Sequence, residues 1–140
     1  MSRSDLFDIA YLKMAKEWSK LSYCNRLKVG ALIVKNGMII SDGFNGTPSK
    51  SKPNVCEGDD GLTNWWVLHG EANAILKCAK NGVSSNGGTL YQTHSPCKEC
   101  SKLILQSGIS RVVYIDDYRD QSGVEFLLES GVEIKKISID

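Results

Sequence analysis

Apolar residues at Leu6, Ile9, Ala10, Met14, Trp18 and Leu21 recur at spacings of three and four behind Ser4, a side chain suited to capping a helix start. The pattern predicts an amphipathic helix whose apolar side covers one face of a sheet. Two β-rich runs follow, 28–34 (KVGALIV) and 38–45 (MIISDGFN), joined through Lys35-Asn36-Gly37. Asn-Gly is the strongest short hairpin signal, so these runs are expected to pair antiparallel. Periodicity then disappears from Gly46 to about Trp66, where Pro48, Pro53, several serines and Gly58-Asp59-Asp60-Gly61 intervene. An irregular stretch of that length in a compact domain is commonly functional, and a lid or binding loop is the expectation. Trp65 and Trp66 at its end have two readings, packing in the core or a wall over a substrate pocket.

Periodicity returns over 71–80, with Ala72, Ile75, Leu76 and Ala79 on one side and Asn81-Gly82 as a stop, which predicts a second helix. A short strand is expected at 89–93 (TLYQT), then a helix opened by Ser95 as cap and Pro96 as its first residue and closed at Gly108. A strand at 111–115 (RVVYI), a short helix at 124–130 and a last strand at 132–139 complete the chain. Strands alternating with helices through the second half build βαβ crossovers and parallel pairing. Added to the hairpin, they predict a three-layer α/β/α sandwich with a mixed five-stranded sheet. In open sheets of this kind ligands gather where strands end and helices begin.

Composition narrows the class. With 140 residues and 41% hydrophobic content the chain suits a single domain over 1–140. A charged fraction of 24% and a net charge of +1 argue against an acidic disordered tail and against a strongly basic nucleic-acid binder. No apolar run reaches the roughly 18 to 20 residues of a membrane span, and Asp5 and Asp8 spoil a signal peptide. A soluble, cytoplasmic protein is expected. The five cysteines are odd in number, and two form a Cys-x-x-Cys after a proline, which favours metal or redox chemistry over a disulfide framework. Cys78, inside an apolar helical pattern, reads as a buried thiol.

The chemistry lies in His69-Gly70-Glu71 and Pro96-Cys97-Lys98-Glu99-Cys100. Zinc prefers imidazole nitrogen and thiolate sulfur, and a site with three protein ligands keeps a fourth position for water or substrate. Cys97 and Cys100, three apart on a helix, share a face, and the positive end of that helix favours their thiolates. His69 completes the set from the entry of the other helix, where its dihedrals need not be helical. Two thiolates and a neutral imidazole balance the charge of Zn²⁺, and the pKa of a water in such a site can fall from 15.7 towards about 7. Glu71 is then the carboxylate that moves protons. Each piece has a plain alternative, a redox pair or a core histidine. His94, two residues before Pro96, either lines the pocket, carries a supporting hydrogen bond or is structural.

His-x-Glu followed by Pro-Cys-x-x-Cys is the signature of zinc-dependent nucleobase deaminases. With the runs from Cys24 to Ala31, Gly43-Phe44-Asn45-Gly46-Thr47-Pro48, Glu71 to Ile75, Ser95 to Cys100 and Gly108 to Tyr114, nearly the whole chain resembles the deoxycytidylate deaminases of the cytidine deaminase superfamily. The resemblance implies hydrolysis of dCMP to dUMP and ammonia, supplying dUMP for thymidylate synthesis. Glu71 would pass protons from water to the ring nitrogen beside the amino-bearing carbon and then to departing ammonia. Asn45 would hold the sugar or phosphate, and substrate contacts are also expected at Gly46, Ala72 and Ser95. Arg26 and Lys28 either meet a phosphate or effector or form a solvated basic turn; Lys50 and Lys52 offer further positive charge.

The resemblance also implies a homo-oligomer, often a hexamer, activated by dCTP and inhibited by dTTP with Mg²⁺. Two departures stand out. Gly70 replaces the more frequent Ala of the family, and the segment 46–68, which holds a second structural zinc in larger relatives, has only Cys56 and no histidine, so one zinc is expected. Competing readings are a zinc deaminase for cytidine, dCTP or a nucleic-acid base, and a zinc-stabilised binding module without catalysis.

Overall fold

The computed structural model describes residues 1–50 and 54–139. Lys52 lies outside them. The elements run α1 (Arg3–Ser19), β1 (Gly30–Lys35), β2 (Met38–Phe44), α2 (Gly70–Lys80), β3 (Thr89–His94), α3 (Lys98–Gln106), β4 (Arg111–Asp116), α4 (Ser122–Glu129) and β5 (Glu133–Lys136). The five strands form one sheet in the order β2-β1-β3-β4-β5. β1 pairs antiparallel with β2 and β3, whereas β3, β4 and β5 run parallel. The mixed α/β/α sandwich expected from the sequence is thus the observed one.

Alternation along the pleat sends neighbouring residues to opposite faces. Ala31, Ile33, Leu90 and Val112 point to the side where Ala74 and Cys78 of α2, Ile104 of α3 and Leu127 of α4 pack. Leu32, Val34, Tyr91 and Val113 meet Leu12 and Ala15 of α1 on the other. The hairpin is as expected: Asn36 and Gly37 both have positive φ, 52° and 74°, the form of a two-residue turn whose twist matches the strands it joins.

The first helix departs from expectation twice. Its cap is Ser2, not Ser4: the Ser2 hydroxyl accepts from Asp5 N–H, and the Asp5 carboxylate accepts from Ser2 N–H in return. The buried side is also not the apolar stripe. Leu6, Met14 and Leu21 are exposed, whereas Asp8, Leu12, Ala15 and Ser19 are buried. Two causes turn the helix. A Cβ on Gly30 would lie 2.0 Å from the Ala15 carbonyl oxygen, so α1 touches β1 backbone to backbone and only small residues fit there. Asp8 is accepted in the interior because Arg111 grips it with two hydrogen bonds of 2.9 and 2.8 Å, while Tyr91 Oη donates at 2.6 Å and Lys135 Nζ at 3.2 Å.

A third departure concerns the cysteines. Cys24 and Cys56 form a disulfide. Spacing could not pair them, because the segment around Cys56 is brought there by a side chain distant in sequence: the Glu57 carboxylate accepts from Asn25 N–H at 3.1 Å and Arg26 N–H at 3.2 Å. Cys78 is a buried thiol in the core, as expected.

Candidate metal centre and active site

The site forms where β2 and β3 end and α2 and α3 begin. Beyond β2, Gly46 N–H donates to the Leu68 carbonyl at 3.0 Å and Leu68 N–H returns to Gly46 at 2.8 Å, which delivers the chain to α2 beside Asn45. The first turn of α2 is strapped to β2. Asn73 Nδ2 donates to the Phe44 carbonyl at 2.8 Å and Ser41 Oγ to that of Ala74 at 2.6 Å. A Cβ on Gly43 would lie 2.5 Å from the Gly70 carbonyl oxygen, so a side chain there would push the helix off the strand.

His69 is the N-cap of α2, extended at φ −74° and ψ 158°, and Cys97 is the N-cap of α3 at φ −72° and ψ 168°. Neither side chain caps its own helix. The positions that usually spend a Ser or Asp oxygen on the helix backbone here leave a ring nitrogen and a sulfur free. Ser95 and Pro96 therefore stand before α3, whose cap, Cys97, comes two residues after the Ser95 cap that the sequence suggested. The Ser95 hydroxyl instead accepts from Tyr118 N–H at 2.7 Å and from Gln121 Nε2 at 3.2 Å.

These caps converge with Cys100. His69 Nδ1 lies 3.5 Å from Cys97 Sγ and 3.2 Å from Cys100 Sγ, and the three donor atoms fall within 4.8 Å of one another. Tetrahedral zinc with bonds of about 2.0–2.1 Å to nitrogen and 2.3 Å to sulfur separates such donors by about 3.6 Å, so the set fits. The titrations express the same crowding. The Cys100 hydrogen bond holds Cys97 down at about 4 against the effect of burial, with His69 assisting. Cys100 is pushed up by Cys97, by burial and by Glu71. The Cys97 hydrogen bond raises His69, burial opposes it and Glu71 adds to the rise.

Glu71 is buried in the first turn of α2 at 4% exposure. Burial pushes its carboxyl up; its own backbone N–H and the His69 imidazole pull it down, the Cys97 thiolate raises it again and the Gln92 amide lowers it. A cleft of about 690 Å³ opens over these groups, with Arg26, Asn45, Glu57, His94, Ser95 and Arg119 in its walls.

The expected substrate contacts divide. Arg26, Asn45 and Ser95 line the cleft, while Lys28, Gly46 and Ala72 do not. Lys28 Nζ donates to the Ser22 carbonyl at 2.6 Å, Gly46 is used in its bridge to Leu68, and Ala72 is buried. Asn45 works on the backbone: its Oδ1 accepts from Val29 N–H at 2.9 Å and its Nδ2 donates to the Leu27 carbonyl at 2.7 Å, fixing the run that carries Arg26. His94 reaches the cleft with Nδ1 2.9 Å from Thr93 Oγ1. Part of the irregular segment, Glu57, Thr63 and Val67, forms a wall. Trp65 follows neither of its readings. It is 90% exposed, outside the cleft and stacked edge-on against Trp66 at 5.8 Å. Tyr118 and Arg119 were missed, since the turn after β4 carries no motif and only the sheet order brings it to the site.

Residues 6–116 match the family described as the cytidine and deoxycytidylate deaminase zinc-binding region. The deoxycytidylate deaminase of enterobacteria phage T4 is 35% identical over 96% of this chain and 89% of its own length. ComE operon protein 2 of Bacillus subtilis is 39% identical over 85% of this chain, which spans only 65% of that protein. The structure of a dCMP deaminase from cyanophage S-TIM5, solved with dCMP and dUMP, superposes with a TM-score of 0.91 at 47% identity, covering 98% of this chain and 99% of the other. With the His-x-Glu and Pro-Cys-x-x-Cys residues gathered at one cleft, this chain belongs to the zinc-binding cytidine and deoxycytidylate deaminase family.

Proposed function

We propose that this protein hydrolyses dCMP to dUMP and ammonia. The observation that carries the reading is the convergence of His69, Cys97 and Cys100 beside buried Glu71, with His69, Glu71 and Cys97 lining one cleft. The S-TIM5 relative, bound to dCMP and dUMP, supports the substrate choice, because these two molecules are the reactant and product of that hydrolysis. His69 Nδ1 and the Cys97 and Cys100 sulfurs hold zinc. When bound, zinc supplies a water that ionises near neutral pH.

Glu71 takes the proton released by the attacking water on a carboxylate oxygen and delivers it to the ring nitrogen next to the amino-bearing carbon. It then carries a second proton to the departing amine, so that dCMP and water leave as dUMP and ammonia. Asn45 holds the run 27–29 in place, and the exposed Arg26 and Arg119 in the cleft walls meet the 5′-phosphate. A charge-assisted phosphate contact is worth about 1.5–3 kcal/mol. Arg119→Ala is therefore expected to raise KM for dCMP about tenfold or more, with little change in kcat and none in KM for cytidine. An equal effect on both substrates would count against the phosphate role.

The reading of 1–140 as one domain is supported by two core clusters on opposite faces of one sheet among the described residues. The protein assembles as a homo-oligomer, a reading supported by exposed Leu6, Phe7 and Met14 on the outer side of α1. Its regulation by dCTP, and by dTTP with Mg²⁺, is tested by adding each triphosphate at subsaturating dCMP; no response removes it. Among the described residues no helix is long and apolar enough to cross a membrane. Work on a free nucleotide suits the cytoplasm. The Cys24–Cys56 bond argues the other way, since disulfides are rare in reducing cytosol, and full alkylation of both thiols in fresh lysate would support the cytoplasmic assignment.

The deciding experiment measures ammonia release from dCMP, dCTP, cytidine and a cytosine-containing oligonucleotide side by side, with and without a chelator. Preference for dCMP, lost with the metal, is the expected result. Turnover of cytidine or the oligonucleotide at a higher kcat/KM would replace the substrate.

A further inference from the structure

β3 and β4 run side by side and part after His94 and Asp116, their last paired residues. Ser95 N–H still donates to the Asp116 carbonyl at 2.9 Å. One chain then enters α3 with Cys97 as its cap, and the other turns through 117–121 into α4, carrying Tyr118 and Arg119 along the cleft wall. Off the ladder, backbone N–H and carbonyl groups look to side chains for partners.

Gln121 is such a partner. It is the N-cap of α4, yet its side chain makes no bond to the helix; Asp120 Oδ1 accepts from Ser122 N–H at 3.0 Å in its place. Gln121 Nε2 turns back instead, donating to the Tyr118 carbonyl and, at 3.2 Å, to Ser95 Oγ. Tyr118 N–H reaches the same Ser95 oxygen at 2.7 Å. Both backbone groups of Tyr118 are thus bound, one to Ser95 and one to Gln121. The amide has one orientation, because Oε1 turned towards the Tyr118 carbonyl would set acceptor against acceptor. At the entry of the turn the Asp117 carboxylate accepts from Tyr114 Oη at 3.0 Å and from Lys136 Nζ at 2.7 Å. Arg119, exposed in the cleft wall, follows directly on the clamped residue.

We propose that Gln121 is a positioning residue for nucleotide binding: with Ser95 it fastens the Tyr118 backbone to the run that leads to Cys97, and so holds Arg119 where it meets the 5′-phosphate. The phosphate half of this inference rests on the reading of Arg119 above; the clamp does not. Gln121→Leu keeps the bulk of the side chain and removes both donors. Gln121→Ser, a better helix cap that is too short to span to both partners, serves should the leucine variant fail to fold. Either variant is expected to raise KM for dCMP about 3- to 10-fold, with kcat and KM for cytidine within about twofold of the parent.

A double-mutant cycle separates positioning from loosened packing. In an Arg119→Ala background Gln121→Leu should change KM for dCMP by less than about twofold, since the residue it places is gone. Full additivity would overturn the proposal, as would a parental KM for dCMP in a folded Gln121 variant or an equal rise for cytidine. A readout independent of turnover is hydrogen exchange at the Tyr118 backbone amide, expected to be about tenfold faster or more in Gln121→Leu; a parental rate would remove the clamp. If Arg119→Ala itself leaves KM for dCMP unchanged, the phosphate reading falls and that half of the inference with it, while exchange at Tyr118 still decides whether Gln121 holds the turn.

Discussion

Replacing Glu71 with glutamine should leave the protein folded and loaded with zinc while kcat for dCMP falls by about 10² to 10⁴-fold, the usual share of a general acid–base group. That loss corresponds to about 3–5 kcal/mol of transition-state stabilisation. The substitution keeps the shape of a side chain that is only 4% exposed and takes away its ability to exchange protons. Stability should not suffer, because the ionised carboxylate is held against a desolvation cost that glutamine does not incur. Metal analysis should return about one zinc per chain for parent and variant alike, since the proposed ligands are His69, Cys97 and Cys100 and not Glu71. The result also separates two classes of function. A zinc-stabilised binding module would lose nothing with Glu71, whereas a deaminase loses turnover and keeps its metal. Parental kcat in the glutamine variant would discard the mechanism.

What the sequence made legible follows from how local each signal is. The hairpin was readable because Asn36-Gly37 encodes its own turn, and the convergence of three candidate metal donors because zinc chemistry restricts residue type and spacing at two helix starts. The buried side of α1 was not readable. Its orientation is set by a backbone contact at Gly30 and by Arg111 and Lys135, which lie more than a hundred residues along the chain from Asp8. The same applies to the cleft wall. Arg119 belongs to a turn with no motif, and Lys28, open between a phosphate or effector contact and a solvated turn, donates to the Ser22 carbonyl six residues away. Hydrophobic period predicts which side of an element is buried only where burial is apolar. Where a charge is buried, its distant partners decide.

Asp8 provides the largest expected effect on stability. Its side chain is 3% exposed and its carboxylate accepts from Arg111, Tyr91 and Lys135. Asp8→Asn keeps the shape but leaves the Arg111 guanidinium, itself only 22% exposed, without its bidentate partner. Breaking a buried pair from one side costs about 3–5 kcal/mol. Arg111 retains Glu133 at 2.6 Å, so the lower end, about 3 kcal/mol by urea denaturation at pH 7, is expected.

The pH dependence has a definite sign. Burial alone would raise the Asp8 carboxyl, but the hydrogen bonds from Arg111, Tyr91 and Lys135 prevail and hold it at about 2, below the ordinary 3.8. A depressed carboxylate stabilises the fold fully above its unfolded value and loses that contribution as pH falls through the folded one. Holding the carboxyl at about 2 instead of 3.8 is worth about 2 kcal/mol. Because Asp5 and Asp117 are also lowered, the informative quantity is the difference between parent and variant: the gap of about 3 kcal/mol at pH 7 should shrink by about 2 kcal/mol between pH 5 and pH 2. A gap that stays constant over that range would mean the charge on Asp8 does not hold α1 to the sheet, and that the close contact at Gly30 orients the helix alone.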